Sequence, residues 1–305
     1  MSRPFRFGVS LLAPATGAEW AAKCRRAEEL GYDVITVADH LGMPAPFPSL
    51  VAAAQATRRP RLGTFVLNAA FWNPALLARE VVTTNALTGG RLELGLGTGY
   101  VPAEHEAAGL PFGTARERVD HLLRMVEELE RLLGPDGPSL GTPWPGGKAP
   151  ETPDGGPPRV PLLIGANGDR MLRLAAEHAD IVSFTGARTG RNGTLEPLSA
   201  TELDGRVALY RKASAGREEP AELNLLIQIV SVTDDRAAAV RPWLPRLPLL
   251  TEREVLELPI VLIGSVEQLV DQVRELRERF GFSYLTVLEP NLEVFAPVVG
   301  ALRGR

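Results

Sequence analysis

Phe5-Arg6-Phe7-Gly8-Val9-Ser10-Leu11, an amphipathic run over 18–30, then Gly31-Tyr32-Asp33-Val34-Ile35-Thr36-Val37 is the stretch whose reading decides the fold. A short apolar segment gives way to helical periodicity, and a glycine suited to a left-handed C-cap returns the chain to a β-branched segment. That order is the signature of a βα unit feeding a parallel sheet.

The same unit recurs along the chain. Strand candidates fall at 5–11, 33–37, 61–67, 92–96, 160–164, 181–184, 223–230 and 284–288, eight in all. Helix candidates alternate with them at 18–30, 48–57, 74–87, 114–133, 169–178, 201–213, 266–280 and a short terminal one at 293–302. Eight alternating pairs predict a closed (β/α)8 TIM barrel spanning 1–305 as one domain, although the count alone leaves an open doubly wound sheet possible. Gly281 repeats the C-cap signal of Gly31, and Asp169 and Ser265 stand where N-caps belong.

Two stretches break the rhythm. Residues 134–158 are dense in Pro and Gly and read as an insertion after the fourth helix, either a linker or a segment folded toward the barrel rim. Residues 234–259 are too long for a simple connection and predict an added helix after the seventh strand, placed to help cover a site.

Bulk properties restrict what such a barrel does. The chain has 305 residues, 45% of them hydrophobic, enough for a substantial core. Its 33 basic and 37 acidic residues give a net charge of −4, with neither the basic stripe expected for nucleic acid nor a polybasic membrane patch. No secretory leader and no run of about 18 apolar residues stands out, so a soluble cytoplasmic protein acting on a small molecule is expected. A single cysteine, Cys24, permits neither an intrachain disulfide nor a Cys-based metal cluster.

In a βα barrel the residues just past the C-terminal strand ends face one common mouth. Asp39 and His40 follow the second strand candidate, and an imidazole beside a carboxylate can be held in one tautomer for proton transfer, or can simply pack in a loop. Gly95-Leu96-Gly97-Thr98-Gly99-Tyr100 ends the fourth strand with glycines that allow close backbone approach, but it lacks the Walker sequence and the full Rossmann spacing. Ile164-Gly165-Ala166-Asn167-Gly168-Asp169 closes the fifth strand and opens a helix whose terminal amides suit a phosphate; a plain tight turn reads equally well. Thr64, Asn68, Phe71 and Trp72 follow the third strand as a possible wall for a flat ring, or as packing. Glu104, His105 and Glu106 lie in a loop, and sequence neighbours of this kind rarely converge on one metal ion, so no metal site is expected. His121 and His178 sit in helical stretches without a catalytic role. No Gly-x-Ser-x-Gly elbow is present.

These residues resemble the luciferase-like monooxygenase superfamily, and within it the branch dependent on coenzyme F420. The resemblance is carried by Ala27-Glu28-Glu29-Leu30-Gly31-Tyr32-Asp33, Ala38-Asp39-His40, the Asn73-Pro74-Ala75-Leu76 segment running to Glu80, and Leu87-Thr88-Gly89-Gly90-Arg91 running to Tyr100. Ile164 to Gly168 and Tyr284-Leu285-Thr286-Val287 follow in the expected order, so it covers nearly the whole chain.

The resemblance implies a deazaflavin ring in the barrel mouth, His40 near its reactive face with Asp39 in support, and Glu104 as a rim acid. It implies that Leu67 and Asn68 lie in a bulge that backs the ring, often with a non-proline cis peptide, beside Thr64. Gly97, Thr98 and Gly99, with Gly165, Ala166, Asn167 and Gly168, are the implied contacts to the cofactor's polar tail. The function so implied is F420-dependent hydride transfer to or from a small organic or natural-product substrate, by an oxidoreductase that forms a homodimer through helices beside the second and third strands. FMN is the alternative cofactor, with a monooxygenase as the corresponding enzyme, since reduced deazaflavin does not readily activate oxygen. A flavin-binding barrel without catalysis also stays open. A Schiff-base aldolase is disfavoured, because Lys23, Lys148 and Lys212, the only lysines, fall in helices or the long insertion.

Overall fold

The computed structural model describes residues 3–134, 159–189 and 195–305. Eight parallel strands close into a barrel: β1 (Arg6–Leu11), β2 (Val34–Val37), β3 (Arg61–Thr64), β4 (Leu92–Gly97), β5 (Leu162–Gly165), β6 (Ile181–Phe184), β7 (Glu222–Ile227) and β8 (Phe282–Leu288). Each strand pairs with the next, β8 pairs back onto β1 through Arg6↔Tyr284 to Ser10↔Leu288, and Leu62↔Leu92 joins β3 to β4. The predicted TIM barrel is therefore the fold.

The period-2 alternation of the strands sorts side chains onto two faces. Phe7, Val9, Leu11, Ile35, Val37, Leu94, Leu96, Val182, Leu225 and Val287 join the helices in one continuous hydrophobic cluster outside the barrel. Val34, Leu163, Ile181 and Tyr284 form a second, separate cluster inside it, with Phe65 and Val66 packed against it. The interior is not wholly apolar. Ser183 Oγ donates to Asn224 Oδ1 at 2.7 Å, and Asn224 Nδ2 donates to Thr286 Oγ1 at 2.8 Å, so a buried polar ladder ties β6, β7 and β8 together.

Helix punctuation follows the local chemistry. Gly281 (φ 87°) closes the helix Val266–Phe280 in the left-handed region, and Ser265 caps its start with a complete capping box. Gly31 also has positive φ, at 91°. Asp169 is not the N-cap expected of it: Gly168 occupies that position without a side-chain cap, and Asp169 pairs with Arg206 instead.

Three departures from expectation shape the mouth. The 223–230 segment splits, because Gln228 and Ile229 both turn their N–H groups to Ile260 O and the chain leaves the barrel to form a two-stranded parallel sheet, Ile229–Val232 with Val261–Gly264. The excursion between those strands holds two short helices, Arg236–Val240 and Glu252–Leu256, with a 3-10 turn, Arg241–Arg246, where one helix was predicted. Glu104 to Glu106 lie in a helix, Pro102–Ala107, not in a loop; Pro102 at its first turn has no N–H to leave unbonded. The predicted insertion, beyond Gly134, lies outside the described residues. Among the described residues no helix is long and apolar enough to cross a membrane.

Candidate active site

Between β3 and the helix Pro74–Leu87 the chain doubles into a bulge that forms one side of the mouth. The peptide Phe65–Val66 is cis, directly before Leu67 and within the bulge around Leu67–Asn68 where the resemblance implies a non-proline cis peptide. Leu67 and Asn68 pair with Leu96 and Gly97 of β4. Close packing of the bulge on β4 explains two of that strand's glycines. A Cβ on Gly95 would stand 2.0 Å from Thr64 O, and one on Gly97 would stand 2.6 Å from Val66 Cγ2. Thr64 seals the same contact: its hydroxyl accepts from Gly95 N at 2.7 Å and donates to Gly95 O at 2.9 Å. Thr64 is thus buried against β4, and Leu67 and Ala166 are fully buried as well.

Asp39 and His40 leave the end of β2 in different directions. The Asp39 carboxylate accepts Trp72 Nε1–H at 2.9 Å and Asn68 N–H at 3.2 Å, which fastens the β2 end to the bulge. Burial pushes its pKa above the ordinary aspartate value, against the pull of those two donors. His40 turns toward the helix Pro102–Ala107, where its Nδ1 lies 2.9 and 3.1 Å from the two Glu104 carboxylate oxygens. An imidazole so placed carries its proton on Nδ1, so that Nε2 of the neutral ring keeps a lone pair. The Tyr100 hydroxyl stands 3.5 Å from that Nε2, and the two rings meet edge to face at 5.5 Å. Both His40 and Glu104 are partly exposed, at 25% and 16% of their side chains, so the pair is reachable from solvent.

The three neighbours Glu104, His105 and Glu106 diverge. His105 is buried, with Nδ1 donating to Pro111 O at 3.1 Å and Nε2 accepting from Asn68 Nδ2 at 3.0 Å. Asn68 in turn accepts Ala70 N–H on its Oδ1 at 3.1 Å, so its carboxamide has a fixed orientation. Glu106 is exposed. Phe71 packs on His105, and Trp72 meets Phe47 edge to face. The aromatic pair read as a wall for a flat ring therefore also anchors the polar groups behind the mouth. His121 binds Ala69 O, and His178 pairs with Glu130.

Across the mouth, Asn167 follows β5 and accepts both Thr185 N–H (3.2 Å) and Thr185 Oγ1–H (2.8 Å) on its Oδ1. Its Nδ2 amide has no hydrogen-bond partner among the described residues. With Gly165, Gly168 and the first amides of the helix Asp169–His178, it offers neutral donors suited to a polar or anionic tail. Tyr100 was not singled out as a site residue, and its place at the end of the Gly-rich strand was the available signal. The contact between Glu104 and His40 spans 64 positions and depends on barrel closure.

A parallel barrel with a histidine–carboxylate pair and a donor-lined turn at its C-terminal rim defines the class, a TIM-barrel protein with its polar groups gathered at the mouth. Residues 1–248 match the luciferase-like monooxygenase family, and the chain belongs to that family. It is 30% identical over 230 residues to an F420-dependent glucose-6-phosphate dehydrogenase of Beutenbergia cavernae, covering 71% of this chain and 66% of that one. It is 29% identical over 177 residues to a 5,10-methylenetetrahydromethanopterin reductase of Archaeoglobus fulgidus, covering 57% and 51%. The chain thus aligns with about two thirds and one half of these relatives' lengths. The solved structure of an F420-dependent secondary alcohol dehydrogenase in complex with an F420-acetone adduct superposes with a TM-score of 0.75 at 18% identity, over 98% of this chain and 99% of that one.

Proposed function

We propose that this protein is an F420-dependent oxidoreductase acting on a small organic or natural-product substrate at the barrel mouth. The observation that carries the reading is the His40–Glu104 pair, set at the rim beside the bulge and opposite the Asn167 amide. When bound, the deazaflavin accepts or gives a hydride, which leaves the protein to manage the accompanying proton. His40 Nε2 is placed to take a proton from a substrate group and to return it, while the Glu104 carboxylate holds the ring in one tautomer and stabilises the imidazolium. Asp39 supports this through the backbone, since its carboxylate holds the bulge and not the imidazole ring. Gly97, Thr98 and Gly99, with Gly165, Ala166, Asn167 and Gly168, are the residues assigned to the cofactor's tail, and Leu67 and Asn68 to its ring. The dehydrogenase and reductase relatives support F420 over FMN.

The test is calorimetric titration of wild type and His40→Ala with oxidised F420 and, separately, with FMN. F420 should bind in the micromolar range or tighter, with His40→Ala retaining that affinity within about threefold and losing about 100-fold or more in turnover. Binding of FMN alone would move the protein to the monooxygenase reading, and binding of neither would overturn the site. A homodimer belongs to the same reading: Leu76 and Leu87 of the helix Pro74–Leu87 are each more than half exposed. Sedimentation at micromolar concentration should give twice the chain mass, and a monomer would reject it.

A further inference from the structure

We propose that His105 is a positioning residue for the cofactor: it clamps the Asn68 carboxamide against Gly99 and so fixes the spacing between the bulge after β3 and the Gly-rich turn after β4. This rests on the F420 reading, which assigns Asn68 to the ring and Gly99 to the tail.

The clamp is set from both ends. Pro111 O lies 3.1 Å from His105 Nδ1, and a carbonyl can only accept, so the neutral ring carries its proton on Nδ1 and presents a bare Nε2. Ala70 N–H donates to Asn68 Oδ1 at 3.1 Å, which turns the Asn68 Nδ2 group the other way, to 3.0 Å from that Nε2. Each partner is held in the one orientation that makes their contact a donor–acceptor pair. The carboxamide then closes on the turn. A Cβ added to Gly99, whose φ is +69°, would stand within 2.6 Å of Asn68 Oδ1, Cγ and Nδ2, so only glycine lets the turn come so near.

Packing alone does not call for a histidine here. Phe71 and Phe112 flank the ring at centroid distances of 5.5 and 5.0 Å, and His105 is 1% exposed. A phenyl group would fill such a slot with no polar atom to satisfy, whereas a buried imidazole needs a partner for each nitrogen. Both partners come from other elements, and Asn68 is 37 positions away. The charged groups nearby are engaged elsewhere: Glu104 faces His40, Asp39 holds Asn68 N, and Arg118 lies 3.9 Å over the Phe112 ring. Among the described residues none of them bonds the His105 imidazole.

Wild type, His105→Gln, His105→Asn and His105→Phe are titrated with oxidised F420. The glutamine carboxamide reaches the place of Nε2 and can accept from Asn68, the asparagine carboxamide reaches only the place of Nδ1, and phenylalanine keeps the ring without either bond. The clamp requires a Kd within about threefold of wild type for His105→Gln, and one about tenfold or more weaker for the other two. A ring that merely fills space gives the opposite order, with His105→Phe retaining affinity and His105→Gln losing it, and that order or equal affinity in all four overturns the proposal. A second readout needs no cofactor and no change at His105. In nitrogen-15 NMR at about pH 8, where a free imidazole is neutral, His105 should carry its proton on Nδ1, and Asn68→Ala should shift the Nε2 resonance toward that of an unbonded lone pair. A proton on Nε2, or an Nε2 resonance indifferent to Asn68→Ala, overturns the clamp whatever the titrations show. A wild type that fails to bind F420 yet gives the expected imidazole signature overturns the cofactor assignment and leaves the clamp standing.

Discussion

Asp39 keeps a charge where burial opposes it, and two donors partly offset the cost. Its folded pKa lies above its unfolded value, so the stability linked to its proton is full below about pH 3.9 and is lost as pH rises through the folded value. Asparagine retains an oxygen for the Trp72 and Asn68 N–H groups and carries no such penalty. The Tm of Asp39→Asn minus that of wild type should therefore become more positive from pH 4 to pH 7 in thermal melts; a flat difference would show that the carboxylate is not penalised. At this scale the sequence was half legible. The adjacency of Asp39 and His40 past a strand marks a rim position, but their partners Asn68, Trp72 and Glu104 come from 29 to 64 positions away. Only strand order brings them near, and local pattern carries no information about which rotamer faces which partner.

Elements were more legible where they are long. The helix Ala115–Leu133 has a capping box at Thr114 and a buried stripe of Leu122, Met125, Val126 and Leu129, so its periodicity spans several turns. The helix Pro102–Ala107 has only six residues, too few for a 3.6-residue period to show. The 223–230 run is apolar apart from Asn224 and Gln228, and since Asn224 sits within the barrel strand, a polar residue in such a run does not by itself mark Gln228 as the point where it passes to the side sheet. Glycine discriminates sharply between element interiors. Gly95 faces Thr64 O with no room for a methyl group, whereas Gly205, exposed within the helix Ala200–Ala213, has nothing within 4 Å of an added Cβ. Gly95→Ala should cost about 3 kcal/mol or more by forcing the bulge off β4. Gly205→Ala should add about 0.5–1 kcal/mol through helix propensity and lost unfolded-state entropy. Urea melts of the two variants give both signs, and a wild-type midpoint for Gly95→Ala would contradict the close packing of bulge on strand.

Across the whole barrel, the proposed chemistry and the cohesion lie at opposite ends. The mouth at the C-terminal rim carries His40, Glu104 and Tyr100. The N-terminal end is closed by Arg6 of β1, which bridges Glu93 of β4 and Glu222 of β7 and lies 4.7 Å over the Tyr284 ring of β8, while Arg61 of β3 also binds Glu93. One guanidinium thus links strands that do not pair with it directly, as well as its neighbour β8. Removing it leaves Glu222 buried without that cation, and burial already holds this carboxyl above its ordinary pKa. Arg6→Leu should therefore cost about 3–5 kcal/mol, the usual result of stranding a buried charge. With roughly 2.1 cal/mol/K of unfolding entropy per residue, that becomes a Tm lower by about 5–8 °C at pH 7. The deficit should shrink toward pH 4, since protonating Glu222 removes the unpaired charge, and Arg6→Leu combined with Glu222→Gln should recover part of it at pH 7. F420 affinity should stay within about twofold of wild type, because the cluster sits a full strand length from the mouth. A Tm loss equal at both pH values would place the contribution of Arg6 in packing on Tyr284 instead of in charge neutralisation.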